Sequence, residues 1–273
     1  VTGYVLVASP TLQPGQTVRV QVSADSGNAV PIVVGLDLRA YDATDSLTSR
    51  AGPKLTLAPG QSGVLEWTIE ATGGYPIAEL GVVLSSDRRA DGIVEVDRIH
   101  WDGAPNVELT PQAGTLWARA WGCALDRFEH VRDGFKHLAQ DRGRGLLIQG
   151  SDHWRDYAVE TTAWFQMAKR FGVAARVQGL RRYVALTLNE EGQAEILLCK
   201  GEPRVLASTP FLSESYRPYR LRLVVHGQAV EGWIDDKRVL EATLEDDDLG
   251  WGGAAFLVEE GCMGAEGMRI APA

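Results

Sequence analysis

The sequence predicts an all-β chain built as two antiparallel β-sandwiches of the jelly-roll kind in tandem, and three observations carry that expectation. Short runs rich in Val, Leu, Ile, Tyr and Trp alternate apolar and polar residues with a period of two, which is the mark of half-buried strands. Gly, Pro, Asp and Ser break these runs at the spacing of hairpin turns. Near the middle, residues 102–115 (D-G-A-P-N-V-E-L-T-P-Q-A-G-T) lose all periodicity and carry two prolines and two glycines, which marks a domain boundary. The expected division is a first domain at 1–104, a linker at 105–114 and a second domain at 115–273.

In the first part, residues 17–23 bury Val18, Val20 and Val22 and expose Arg19 and Gln21. Residues 32–41 place Ile32, Val34, Leu36 and Leu38 on one face and Gly35, Asp37, Arg39 and Tyr41 on the other. Residues 63–69 bury Leu65, Trp67 and Ile69. With 76–85 and 93–101 the set comes to about seven or eight strands, enough for a jelly roll. Alternation slips at Asp97 and His100, which predicts a bulge there. Asp37, Arg39 and Tyr41 read as a salt-bridged surface or the lining of a second groove.

In the second part, strands are expected at 115–123, 145–149, 156–167, 193–200, 219–226, 229–235, 238–243, 252–258 and 267–270. Between them, residues 172–188 read as a hairpin turning at Gly179. One of its faces is apolar, with Val173, Ala175, Val177, Val184, Leu186 and Leu188. The other is small, with Ala174 and Ala185 flanked by Arg176 and Tyr183. Phe128, Val131, Phe135 and Leu138 have helical spacing, but Asp133-Gly134 is a hairpin signal and Gly inside a helix costs about 1 kcal/mol against Ala. Two short strands are therefore expected there.

Composition narrows the function. The chain has 273 residues, 45% hydrophobic and 23% charged, as in a soluble globular protein. No apolar run reaches the length of about 18 residues that a transmembrane helix needs, so no membrane partner is expected. A net charge of −9 with scattered arginines argues against nucleic acid, which needs clustered positive charge. Cys123, Cys199 and Cys262 match neither a disulfide framework nor a zinc motif, which favours free thiols and a cytoplasmic location. Val1 rather than Met at the start fits a processed or excised chain.

The candidate ligand-binding residues are Arg176, Tyr183, Trp164, Trp233, Glu160 and Glu231, which parity allows on one sheet face. Aromatic rings stack on the apolar faces of sugars, while Arg and Glu hydrogen-bond their hydroxyls. The bland alternative packs both Trp rings against loops or the neighbouring domain. The run Glu245-Asp246-Asp247-Asp248 reads as a solvated turn, because consecutive acids cannot all face one ion. Asp152 and His153, adjacent on the chain, point apart on a strand. No nucleophile elbow, phosphate loop or dinucleotide fingerprint occurs, so no catalytic residue, metal site or cofactor is assigned.

The segment G-I-V-E-V-D-R-I-H-W-D-G, residues 92–103, resembles the final strand of galactose-binding-type jelly rolls, the fold of many carbohydrate-binding modules. Residues 142–160 (R-G-R-G-L-L-I-Q-G-S-D-H-W-R-D-Y-A-V-E), the G-V-A-A-R hairpin and G-W-I-D-D at 232–236 resemble the concanavalin/laminin-G-like superfamily, which includes the domain of 3-keto-disaccharide hydrolases. In this order the halves resemble the ancillary C-terminal region of bacterial ADP-ribosylglycohydrolase-family proteins. The resemblance implies a non-catalytic tandem module for a carbohydrate or ADP-ribose-like nucleotide-sugar ligand, joined in the parent protein to an N-terminal catalytic domain. The acidic metal motifs of that family, G-D-x-x-G and D-T-D, do not occur, so its chemistry does not carry over. Two alternatives stand beside this reading. One is a glycoside hydrolase or lyase of the 3-keto-disaccharide hydrolase type, with Glu160 and Glu231 as carboxylates that must lie about 5–9.5 Å apart. The other is a structural or dimerising appendage whose aromatics anchor an interface.

Overall fold

The computed structural model describes residues 12–132, 134–150, 152–245 and 249–273. Antiparallel strands dominate it, and the one helix among the described residues is the short α1 (Leu116–Arg119). No helix among the described residues is long and apolar enough to cross a membrane.

The first half has six described strands: β1 (Thr17–Ala24), β2 (Ile32–Tyr41), β3 (Leu47–Leu57), β4 (Ser62–Thr68), β5 (Ile77–Ser85) and β6 (Val94–Asp102). They form two three-stranded sheets, ordered β4-β1-β6 and β3-β2-β5. Alternation sorts the side chains as expected, with Val18, Val20 and Val22 of β1 meeting Val34, Leu36 and Leu38 of β2 in one core. The register of β1 on β6 jumps from Gln21↔Arg98 to Val22↔Val96, so Asp97 is the predicted bulge. Strand β3 escapes a sequence reading because Gly52 and Pro53 interrupt its pattern. The register shift opposite Leu36 absorbs them, and a bulge is where a strand tolerates Pro.

The second half comprises β7 (Val107–Leu109), α1, β8 (Gly122–Ala124), β9 (Arg127–Val131), β10 (Gly134–Gln149), β11 (Tyr157–Gly179), β12 (Arg182–Asn189) and β13 (Gln193–Lys200). Then follow β14 (Glu202–Pro210), β15 (Tyr219–His226), β16 (Ala229–Ile234), β17 (Lys237–Thr243), β18 (Gly253–Ala265) and β19 (Met268–Pro272). Strands β9 and β10 pair as the expected hairpin, while Asp133 itself lies outside the described residues, as do Asp246, Asp247 and Asp248.

Two expected strands, 156–167 and the first arm of the hairpin, are one strand of 23 residues, β11. Its first part pairs with β15 and β19, and its last part pairs with β12. It therefore passes from one layer of the sandwich to the other. Leu221, Leu223 and Val230 of the β15–β17 layer share one core with Val173, Val184 and Leu186 of the β10–β14 layer. The layers touch where Gly232 faces Leu186, and a Cβ there would lie 2.9 Å from Leu186 Cδ1.

One expected strand needs correction, and two strands escape the sequence reading. Residues 115–123 form α1 and β8 rather than one strand, because Asp45 of the first half caps the turn. Its carboxylate accepts from Thr115 N at 2.8 Å and from Leu116 N at 2.9 Å. The stretch read as linker contains β7, which pairs with β19 through Leu109↔Met268 and Val107↔Ile270. Strand β14 goes unread because it starts and ends near prolines and is mostly exposed, as an edge strand tolerates.

Candidate ligand-binding face

The small-residue face expected of the hairpin is present on the outward side of the β10–β14 layer. Ala174 of β11 lies opposite Ala185 of β12 and Ala255 of β18, and all three have no exposed surface. With Leu146, Leu197, Cys199 and Leu257 they form a second buried cluster, on the side of the layer away from the main core. Tyr183 of β12 packs in the same cluster as these alanines. From β10, beyond β11 and β18, Arg144 Nη1 donates to the Tyr183 hydroxyl at 2.9 Å.

A polar network continues from this bond. Arg144 Nε lies 3.7 Å from Glu259 Oε2 of β18. Arg170 Nη1 of β11 donates to the same oxygen at 2.6 Å. Arg170 Nε and Nη2 donate to Glu195 Oε2 of β13 at 3.1 and 3.0 Å. Exposure of 10% for the Glu195 side chain and 20% for Arg144 leaves the network mostly buried yet reachable from solvent. Between Gly172 and Glu195 in register sits Thr187, fully buried, whose Oγ1 has no hydrogen-bond partner among the described residues.

Burial opposes the positive charge of Arg170 and Arg144. Glu259 and Glu195 outweigh it at Arg170, and Tyr183 with Glu259 outweighs it at Arg144, so both guanidinium pKa values rise. Burial likewise pushes the Tyr183 phenol up, so it stays neutral. Two Arg and two Glu give the face no net formal charge. Its donors and acceptors suit hydroxyl groups, and its carboxylates are both held by one guanidinium.

The six predicted residues are not brought together. Tyr183 lies on this face. Arg176 does not, because a bulge after Ala175 places it in the left-handed region at φ 50° and breaks the alternation that put it beside Tyr183. Its side chain is 2% exposed and donates to Gly227 O at 2.7 Å and to Arg155 O at 3.2 Å. Burial lowers its pKa, with Tyr157 and Asp156 partly offsetting. Arg176 is thus a structural arginine tying β11 to two loops.

Glu160, Trp164, Glu231 and Trp233 share the outward face of the other layer. Glu160 is paired with Arg220, whose Nε donates at 2.7 Å. Trp233 Nε1 donates to Glu231 Oε2 at 3.0 Å, and Arg222 stacks 5.8 Å from the Trp233 ring. Trp164 lies flat across Gly264, where a Cβ would come within 2.5 Å of the indole. Parity was right for all four, but the change of layer along β11 separates them from Tyr183. Sequence reasoning missed Arg144, Arg170, Glu195 and Glu259. Glu195 carried a signal, as the one acid in the apolar run A-E-I-L-L-C of β13.

Elsewhere, Arg39 pairs with Glu79 at 2.9 Å rather than with Asp37, which accepts from Ser49 Oγ at 3.0 Å. They line a shallow hollow of about 320 Å3. No group of three or more potential metal ligands occurs among the described residues.

No protein-family model matches the sequence, and no match is found among curated protein sequences. Among solved structures, the chain is similar to the carbohydrate-binding module CBM66 from Bacillus subtilis, with 13% identity, a TM-score of 0.50, and coverage of 55% of this chain and 94% of that one. It is also similar to a protein of unknown function with a galectin-like fold from Bacillus subtilis, with 11% identity, a TM-score of 0.46, and coverage of 58% and 92%. A putative glycosyl hydrolase from Parabacteroides distasonis ATCC 8503 shares 8% identity at a TM-score of 0.43, over 56% of this chain and 88% of that one. At these identities the likeness is one of fold.

Proposed function

We propose that this chain is a non-catalytic binding module that holds a neutral carbohydrate on the outward face of the β10–β14 layer. The observation that carries the reading is the network Glu195–Arg170–Glu259–Arg144–Tyr183, whose charged side chains stay partly exposed. A sugar hydroxyl both donates and accepts, so it pairs with carboxylate, guanidinium and hydroxyl groups without bringing charge. The shared fold with a carbohydrate-binding module supports the same ligand class.

An ADP-ribose-like ligand, with a place in a larger ADP-ribosylglycohydrolase-family protein, is the narrower form suggested by residues 142–188. Charge favours the neutral sugar over it. A diphosphate seeks unpaired guanidinium groups, whereas Arg170 is already committed to two carboxylates.

The test is a glycan array followed by titration calorimetry with the best neutral glycan and with ADP-ribose. Arg144→Met and Glu195→Gln should each weaken glycan binding about 10-fold, the cost of about one hydrogen bond to a charged group. Absence of any glycan signal, or unchanged affinity in both folded variants, overturns the assignment. Tighter binding of ADP-ribose than of any glycan replaces the ligand class.

A further inference from the structure

The two halves meet along a seam made by the loop before β1, the loop before β5 and the β7–α1 segment. Asn106 N donates to Pro14 O at 2.8 Å there, and Gln16 Nε2 donates to Gly103 O at 3.0 Å. Within the seam lies a cavity of about 10 Å3. Gln13, Thr72 and Tyr75 line it from the first half, and Trp117, Trp121 and Gln149 from the second. One water molecule needs about 10–15 Å3 of such space.

Three of these side chains are at least nine-tenths buried: Gln13 at 4%, Trp117 at 2% and Gln149 at 2% exposure. Each carries a buried polar atom that has no partner among the described residues, namely Gln13 Nε2, Trp117 Nε1 and Gln149 Oε1. Buried donors and acceptors are almost always paired, so three orphans lining one cavity require a common partner. Two are donors and one is an acceptor.

We propose that this cavity is a water-binding site in which a single ordered water accepts from Gln13 Nε2 and Trp117 Nε1 and donates to Gln149 Oε1. The assignment uses both lone pairs and one proton of the water, which is what the three side chains offer. A cation is disfavoured by the two N–H donors, and any larger solute by the volume. Because Gln13 belongs to one half and Trp117 and Gln149 to the other, the water is a polar joint between them. It is independent of the ligand face.

A crystal structure at a resolution that shows ordered water tests the site. Density about 2.7–3.2 Å from all three atoms is expected. An empty cavity, a direct bond between Gln13 and Gln149, or density for a larger solute overturns it. The joint is tested by thermal unfolding of Gln13→Met, Gln149→Met and the double variant. Each single change should lower the midpoint by about 2–4 °C. The double should fall no further than the weaker single, because one replacement already disrupts the shared water. Additive losses overturn the joint.

Discussion

Arg144 and Tyr183 meet at 2.9 Å although they stand on β10 and β12, with β11 and β18 between them. Three strand spacings come to about 14 Å, which an arginine and a tyrosine reaching toward each other can span. The small residues Ala174, Ala185 and Ala255 are fully buried in one cluster with Tyr183, Leu146, Leu197 and Leu257.

Removing the central cation of the network is costly. Arg170→Met should destabilise the fold by about 3 kcal/mol, because Glu195 and Glu259 are left mostly buried and facing each other without their shared partner. Adding Glu259→Gln should recover part of the loss. Urea unfolding of the single and double variants checks both values.

Arg176→Ala should cost about 3 kcal/mol or more, through a cavity and through the carbonyls of Gly227 and Arg155 left without their donor. Any loss of glycan binding should follow the unfolded fraction. A stable Arg176→Ala protein with weakened affinity would return this residue to the ligand face.

Tyr157 gives the fold an alkaline limit. Its hydroxyl is fully buried, accepts from Arg176 N at 2.6 Å and lies within bonding distance of Gly252 O and Gly253 O. Burial raises its pKa above the ordinary 10.0. A raised folded-state pKa stabilises fully below the unfolded value and is lost as pH rises past it toward the folded one. Stability should therefore fall above about pH 10 as the unfolded phenol ionises. Unfolding midpoints of wild type and Tyr157→Phe across that range should converge.

Asp45 gives the complementary acid limit. The N–H groups of Leu116 and Thr115, with the Thr115 hydroxyl, hold its carboxyl below the ordinary 3.8. A depressed folded-state pKa stabilises above the unfolded value and is lost as pH falls through the folded one. The thermal midpoints of wild type and Asp45→Asn should differ by a constant amount near neutral pH and converge in acid below that value. A pH-independent gap would deny the carboxylate its capping role.

The legible parts of the fold were those that alternation alone controls. Val18, Val20 and Val22 could be assigned to a core, and Tyr183, Ala185 and Ala174 to one face, because each obeys a period of two. Arg176 defeated the rule because one left-handed residue shifts all that follows. Glu160 and Trp233 defeated it differently, since β11 changes layers partway and parity carries no memory of the layer. The cap on α1 joins residues 70 apart, and Arg144 reaches Tyr183 across 39, so no local pattern announces either contact.

Strand β11 also dictates when the second half can fold during synthesis. Its first residues pair with β19 through Tyr157↔Pro272 and Glu160↔Arg269, and β7 waits for the same strand. Strand β18 is the slat between β10 and β11 along most of their length. A nascent chain that has not yet passed residue 265 therefore holds its two longest strands apart with open edges, exposed to misassociation. Truncation upstream of β18 should yield an insoluble product rather than a smaller sandwich, so the half is gained all at once, at its last strands.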